Sequence, residues 1–389
     1  MATIQKRGDT YRITASDGYD STGKQMRKST TYKPARGMTE KQVEKELGRQ
    51  AVLFEELVKN GAYLKSNMKF CDLADLWFNE HAEKQLARKT VHEYRKQWKR
   101  IAPALGHFRL ERLKPIHFQK FYNTLQEDGM NKKTGGKLSP STIRRYHALM
   151  SSMFSMAILW GILSVNPLRV KPPKLVQKEA VYLDETQAAA LLDALESEPL
   201  PYKAMIYILL YTGVRKGELL GLEWKDIDFD KSLIHIMRAS QYIPEQGIIT
   251  KEPKNKTSQR VIKVPDFIFD MLRLLRHEQL VERMAMGDKW QDRDRLFTMW
   301  DGSPIHPDTL PRWFANFLKA NDLPYINIHG LRHTCASLMI ASHVDIRTVA
   351  NRLGHAMPST TTNIYAHAIR SADEAAAEAI DLALKRKRI

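Results

Sequence analysis

Four short fragments in the C-terminal half carry side chains suited to phosphate chemistry. They are TGVRKGEL around Arg215, EPKNKTSQR around Lys256, HGLRH at 329–333 and LGHAMPSTTTNIYAH at 353–367. Cleaving a phosphodiester without a metal requires a nucleophile, positive charge on the non-bridging oxygens and an acid for the departing oxygen. Arginine suits the second task, because its planar fork makes two hydrogen bonds to phosphate and never loses its charge. Taken singly, each residue is ordinary. A lone Tyr at helical spacing is more often core packing than nucleophile. His329 and His333, one turn apart, suggest a metal pair, but Gly330 stands where a zincin needs Glu, and no third ligand is apparent. No metal is therefore expected. The stretch from Leu338 to Tyr365 also reads as a helix–turn–helix, with Asp345 as cap and Gly354 as stop. That would explain an affinity for DNA, but not the setting of Arg215.

The order and spacing of the fragments say more than any one of them. Arg215 lies in T-G-x-R-x-x-E-L; His329 and Arg332 form H-x-x-R; His355, in L-G-H, follows Arg332 by 23 residues, and Tyr365 comes 10 later. Together they resemble the motif boxes of the tyrosine recombinase family, which includes lambda integrase, the conjugative-transposon integrases and the Xer recombinases. The resemblance implies that Arg215 and Arg332 clamp the scissile phosphate, and that His329 and His355 donate hydrogen bonds to it or shuttle protons. It implies that Lys256, on a β-hairpin, protonates the departing 5′-oxygen and that Tyr365 attacks phosphorus, with no metal, cofactor or ATP. Lys251, Lys254 and Lys256 all flank the hairpin turn; Lys256, followed by Thr257, fits the family best, with Lys254 second. Glu218, one turn beyond Arg215, is read as orienting that region rather than reacting.

These residues need a scaffold, and hydrophobic patterning supplies an outline of one: a mainly α chain with small β-sheets (α+β). From Tyr182 onward, helical patterns alternate with one β region, SLIHIMRASQY, GIITK and QRVIKVP, making 177–389 the catalytic domain with a C-terminal tail. Before it, Asn166 to Ala180 is rich in Pro and charge and reads as a linker. Residues 63–170 look all-helical, with Ser139-Pro140 as a clear helix start. Basic and hydroxyl clusters open two of these helices: Arg88, Lys89 and Thr90, then Ser141, Thr142, Arg144 and Arg145. Helix starts offer free N–H groups and a positive dipole end to phosphates, so these residues, with Lys254, are the candidate DNA contacts. Residues 1–62 read as three short strands, separated by turns at Gly8-Asp9, Gly18 and Gly23-Lys24, and backed by a helix from Thr39.

The resemblance assigns 63–170 to the core-binding domain and, by layout, 1–62 to the arm-type DNA-binding domain of phage and transposon integrases. It implies core and arm attachment sites on double-stranded DNA, a homotetramer on DNA, and a directionality factor or host DNA-bending protein as partner. The tail after Tyr365 would pack on a neighbouring protomer, or dock in cis. Charge agrees with a polyanion: 61 Lys+Arg against 44 Asp+Glu give a net +17. No apolar run approaches the roughly 20 residues of a membrane span, the start MATIQKRGD has no signal-peptide core, and two cysteines, Cys71 and Cys335, build no disulfide framework. A bacterial cytoplasm is the expected compartment. Two rival functions remain at this level: a type IB topoisomerase-like DNA-relaxing enzyme, and a non-catalytic helix–turn–helix regulator.

Overall fold

Strand β1 (Thr3–Arg7) pairs antiparallel with β2 (Thr10–Tyr19), and β2 with β3 (Gln25–Tyr32), in a computed structural model that describes residues 2–19, 23–35, 37–59, 68–175, 181–251, 259–354 and 381. The chain divides into two compact units, 1–176 and 177–389. In the first, alternation along β2 sends Ile13 and Ala15 to one face. There they meet Leu47, Ala51, Phe54 and Val58 of helix α1 (Glu40–Lys59), forming a small core of their own. Gly8, at φ 59°, makes the tight β1–β2 turn that its sequence position predicts.

A second apolar core in the same unit is built by helices. Helix α2 (Phe70–Trp77) runs on through a wide π-turn at Phe78–Ala82, and is followed by α3 (Arg88–Ile101), α4 (Pro115–Leu125) and α5 (Pro140–Leu159). Phe70, Trp77, Phe118, Tyr122 and Phe154 are fully buried between them, Phe70 stacking on Phe154 at 4.8 Å. Ser139 caps α5 as its sequence predicts, its hydroxyl accepting the Thr142 amide at 3.3 Å, with Pro140 in the first turn.

The second unit wraps its helices around α7. After α6 (Glu185–Ala194), α7 (Leu200–Thr212) buries nearly every side chain from Ala204 to Thr212, as a central helix must. It stops at Gly213, which adopts φ 63°. A β-carbon there would overlap the buried Leu353 side chain, so both the turn and the packing favour glycine. The one-turn helix α8 (Lys216–Leu219) follows directly. The expected single β region resolves into two sheets. Strands β4 (Ile227–Asp228), β5 (Leu233–Ile236) and β8 (Arg260–Lys263) form one, and β6 (Ala239–Ile243) pairs with β7 (Gly247–Lys251) in the other. The break falls at Met237-Arg238, where Arg238 turns inward to Glu223 at 2.9 Å.

Helices α9 (Asp266–Met286), α10 (Thr309–Ala320), α11 (Ile328–Ala341) and α12 (Ile346–Leu353) complete the described unit. Both ends of α12 match their sequence signals: the Asp345 carboxylate accepts the Thr348 amide at 2.9 Å, and Gly354 closes the helix at φ 70°. Among the described residues, no helix is long and apolar enough to cross a membrane.

Candidate active site

The Arg215 fragment owes its shape to the sharp end of α7. Gly213 turns the chain, Arg215 takes an extended conformation, and α8 begins at once. Glu218, one turn on, folds back. Its carboxylate accepts the Arg215 amide at 3.0 Å and the Arg215 Nη1 at 2.7 Å. Glu218 is only 4 % exposed. A buried carboxylate needs more than one partner, and the second is Arg260 at the start of β8, whose Nη2 donates to Glu218 at 2.8 Å. Burial alone would raise the Glu218 carboxyl. The Arg260 contact and then Arg215 outweigh it and hold the group below the usual carboxylate range.

Arg332 reaches the same place from α11. It is 2 % exposed, and its Nη1 donates to the Gly213 carbonyl at 2.6 Å. The turn that displays Arg215 is thus tied directly to the second arginine. His329 lies one turn earlier on α11, on its solvent-reached side. Partial burial, then the charges of Arg332 and Arg215, lower its pKa below the ordinary imidazole value. His333 packs edge-to-face on His329, with ring centroids 4.8 Å apart, and is pushed down to about 4 by burial, His329 and Arg332.

The end of α12 closes the group. Arg215 Nη2 donates to the Gly354 carbonyl at 3.3 Å, and Arg260 Nε donates to the Arg352 carbonyl at 2.7 Å. Arg352 in turn holds the Tyr211 carbonyl at 2.9 Å and the Lys263 carbonyl at 3.0 Å. Glycine is again needed at 354, since φ 70° is a backbone conformation that side chains rarely adopt.

Of the six expected catalytic side chains, the structure therefore brings Arg215, His329 and Arg332 together, beside the residue that precedes His355. Lys256, His355 and Tyr365, with Lys254, lie outside the described residues. Arg260 is the member of this cluster that sequence reading missed. Its signal was faint: one arginine at the start of a strand, whose partners Glu218 and Arg352 are 42 and 92 residues away.

In the first unit, Arg88 and Lys89 are exposed in the first turn of α3, and Thr90 is half-buried. Ser141, Arg144 and Arg145 are exposed in the first turns of α5; Thr142 is partly spent on the cap, its hydroxyl 3.0 Å from Ser139 Oγ. Arg144 also donates to the Pro173 carbonyl at 3.4 Å.

Comparison with known proteins agrees with this geometry. Residues 181–371 match the Phage integrase family, and residues 69–126 match its N-terminal SAM-like domain. A tyrosine recombinase XerC-like protein of Caldanaerobacter subterraneus subsp. tengcongensis is 28 % identical over 384 residues, covering 92 % of each chain. Among solved structures, a Tn1549 transposon integrase in complex with transposon right-end DNA superposes with a TM-score of 0.67 at 22 % identity, over 81 % of this chain and all of that one. A lambda integrase tetramer bound to a Holliday junction gives 0.54 at 17 % identity, over 92 % and 94 %. With both matched segments in place and the two arginines meeting at the α7–α8 turn, the chain belongs to the phage integrase family, the tyrosine recombinases.

Proposed function

We propose that the protein is a site-specific DNA recombinase that cuts and rejoins strands through a 3′-phosphotyrosine bond, integrating and excising a mobile element. The observation that carries the proposal is the convergence of Arg215, Arg332 and His329 next to Gly354. Two arginines converging on one turn, with an imidazole of lowered pKa beside them, suit an anion site for a phosphate whose charge grows in the transition state. The Tyr365 hydroxyl gives up its proton to His329 or His355 and its oxygen attacks phosphorus, the bond to the 5′-oxygen breaks, and Lys256 (or Lys254) gives that oxygen a proton. The reaction reverses when the 5′-hydroxyl of another strand attacks the phosphotyrosine, so bond energy is kept and no ATP is used. His355 and Tyr365 follow Gly354 by one and eleven positions.

The rest of the chain serves DNA placement on this reading. Residues 1–62 form the arm-type domain, 63–170 the core-binding domain and 177–389 the catalytic domain. Arg88, Lys89, Thr90, Ser141, Thr142, Arg144 and Arg145 meet the phosphates of the core site, with Lys254 near the cleavage point. Four copies act together, as in the lambda integrase tetramer on its Holliday junction. A directionality factor or a DNA-bending host protein sets the outcome, in the bacterial cytoplasm.

The test is a nicked suicide DNA substrate, incubated with the protein in EDTA. A covalent protein–DNA adduct that vanishes in Tyr365→Phe is expected. Absence of any adduct on the protein's own DNA site would leave a DNA-binding regulator as the reading. Dependence on metal would indicate a nuclease, and relaxation of a plasmid without any recombination site would indicate a topoisomerase.

A further inference from the structure

A second buried arginine cluster lies beside the first and has different partners. Its centre is Arg295, 8 % exposed. Burying a guanidinium is costly unless its donors are used, and here both terminal nitrogens are used, on two elements at once, while Nε makes no hydrogen bond. Nη1 donates to the Gly221 carbonyl at 3.1 Å, just past α8, and to Ser240 Oγ of β6 at 3.3 Å. Nη2 donates to Thr250 Oγ1 of β7. Ser240 and Thr250 are direct cross-strand partners, with their hydroxyls 2.9 Å apart. Glu223 balances the charge from 3.9 Å. Burial lowers the Arg295 pKa, and the Glu223 carboxylate opposes that shift.

Two glycines bring the same elements into contact. A β-carbon on Gly217 would lie 2.9 Å from the Ser240 carbonyl, and one on Gly221 would lie 3.0 Å from the Arg238 carbonyl. Four residues apart in sequence, they present one bare face to the backbone of β6. Arg295 itself is held in register by the Leu296 amide, which donates to the Leu222 carbonyl at 3.0 Å, and by the Asp294 carbonyl, which accepts the Trp224 amide at 2.8 Å. The β6–β7 hairpin is therefore locked to the segment that starts with Arg215.

We infer that Arg295, acting through Ser240 and Thr250, is a positioning residue that holds strand β7 in the frame of Arg215, so that the lysine following this strand meets the departing oxygen. Lys254 and Lys256 come four and six positions after Thr250. The inference rests on the reading that one of them is the general acid. It adds the link that sets where the chain bearing that lysine leaves the sheet.

The test compares a normal scissile phosphodiester with one whose bridging 5′-oxygen is replaced by sulfur. A thiolate leaves without a proton, so the sulfur substrate bypasses the acid but still needs nucleophile and clamp. Thr250→Val, which removes the hydroxyl while keeping the shape, is expected to slow cleavage of the oxygen substrate about tenfold and to cleave the sulfur substrate at close to the wild-type rate. Thr250→Ser, which keeps the hydroxyl, should restore the oxygen rate. Arg295→Lys should follow the valine pattern. Equal slowing on both substrates, or no slowing on oxygen, would overturn the inference. Lysine variants provide the separation: if Lys256→Ala or Lys254→Ala is rescued by sulfur and Thr250→Val is not, the inference fails alone. If neither lysine variant is rescued, the general-acid reading fails and takes the inference with it.

Discussion

Glu218 grips Arg215 twice, through the backbone amide at 3.0 Å and through Nη1 at 2.7 Å, while the oxygen that takes the amide also accepts from Arg260. One buried carboxylate thus sets the direction of one arginine and neutralises another. Glu218→Ala would strand Arg260 at 8 % side-chain exposure without its counter-charge. Breaking such a buried pair costs about 3–5 kcal/mol, so a clear drop in the urea midpoint of the catalytic unit is expected. Glu218→Gln should retain more stability, because the amide oxygen still accepts one hydrogen bond. A midpoint unmoved by alanine would refute the buttressing role.

The same carboxylate predicts a pH effect. Its folded pKa is depressed, so the stabilisation is fully present above the unfolded value, about 4.3, and is lost as pH falls through the lower folded value. Stability of wild type should therefore decline in acid more steeply than that of Glu218→Gln. Denaturation curves between pH 3 and 7 would check this.

His333 should titrate at about 4 and His329 below the ordinary imidazole value, as followed by NMR. Both are depressed bases, so their neutral forms support the fold above about 6.5 and that support is lost as pH falls toward 4. On the proposed reading, the imidazole that His329 offers to the phosphate is neutral in the free protein at pH 7, which leaves the positive charge to the arginines. A His329 titration above 7 in the free protein would contradict this assignment.

Arg332→Lys and Arg215→Lys keep a charge but lose the fork. Cleavage should fall by about 10²–10³-fold, the usual cost of removing one preorganised transition-state donor, while affinity for the core site stays close to wild type. Arg332 is buried and bonded to the Gly213 carbonyl, so its variant should also be checked by circular dichroism. Parallel loss of binding and cleavage would make these arginines general phosphate contacts instead.

Exposed Arg88, Lys89, Arg144 and Arg145 predict the opposite pattern. Alanine at any one of them should weaken core-site binding and reduce the slope of log K against log salt by about 0.9 for each phosphate left unneutralised. The cleavage rate at saturating protein should hardly change. An unchanged salt slope would remove that residue from the interface.

Features written locally were legible in the sequence, and those made by distant contacts were not. Ser139, Asp345 and Gly354 announce helix ends because capping is settled within a few residues. Arg215, His329 and Arg332 stood out through their spacing, and Glu218 could be read as the support of Arg215 because it lies one turn away. Arg260 and Arg295 carried no such mark. Their meaning comes from a carboxylate, carbonyls and hydroxyls 42 to 92 residues away, brought near only by the fold. The division of the β region had the same cause: the strand-like run from Leu233 to Tyr242 breaks where Arg238 turns to Glu223 and Asp226. Gly217 and Gly221 carry no mark in the sequence, and only the backbone of β6 against them shows why they are bare.

The most direct measurement of the central claim is the site of covalent attachment. The adduct formed on the suicide substrate, digested with nuclease and protease and sequenced by mass spectrometry, should carry its nucleotide on Tyr365 through a 3′-phosphate. Attachment to another residue, through a 5′-phosphate, or an adduct that persists in Tyr365→Phe, would contradict the account.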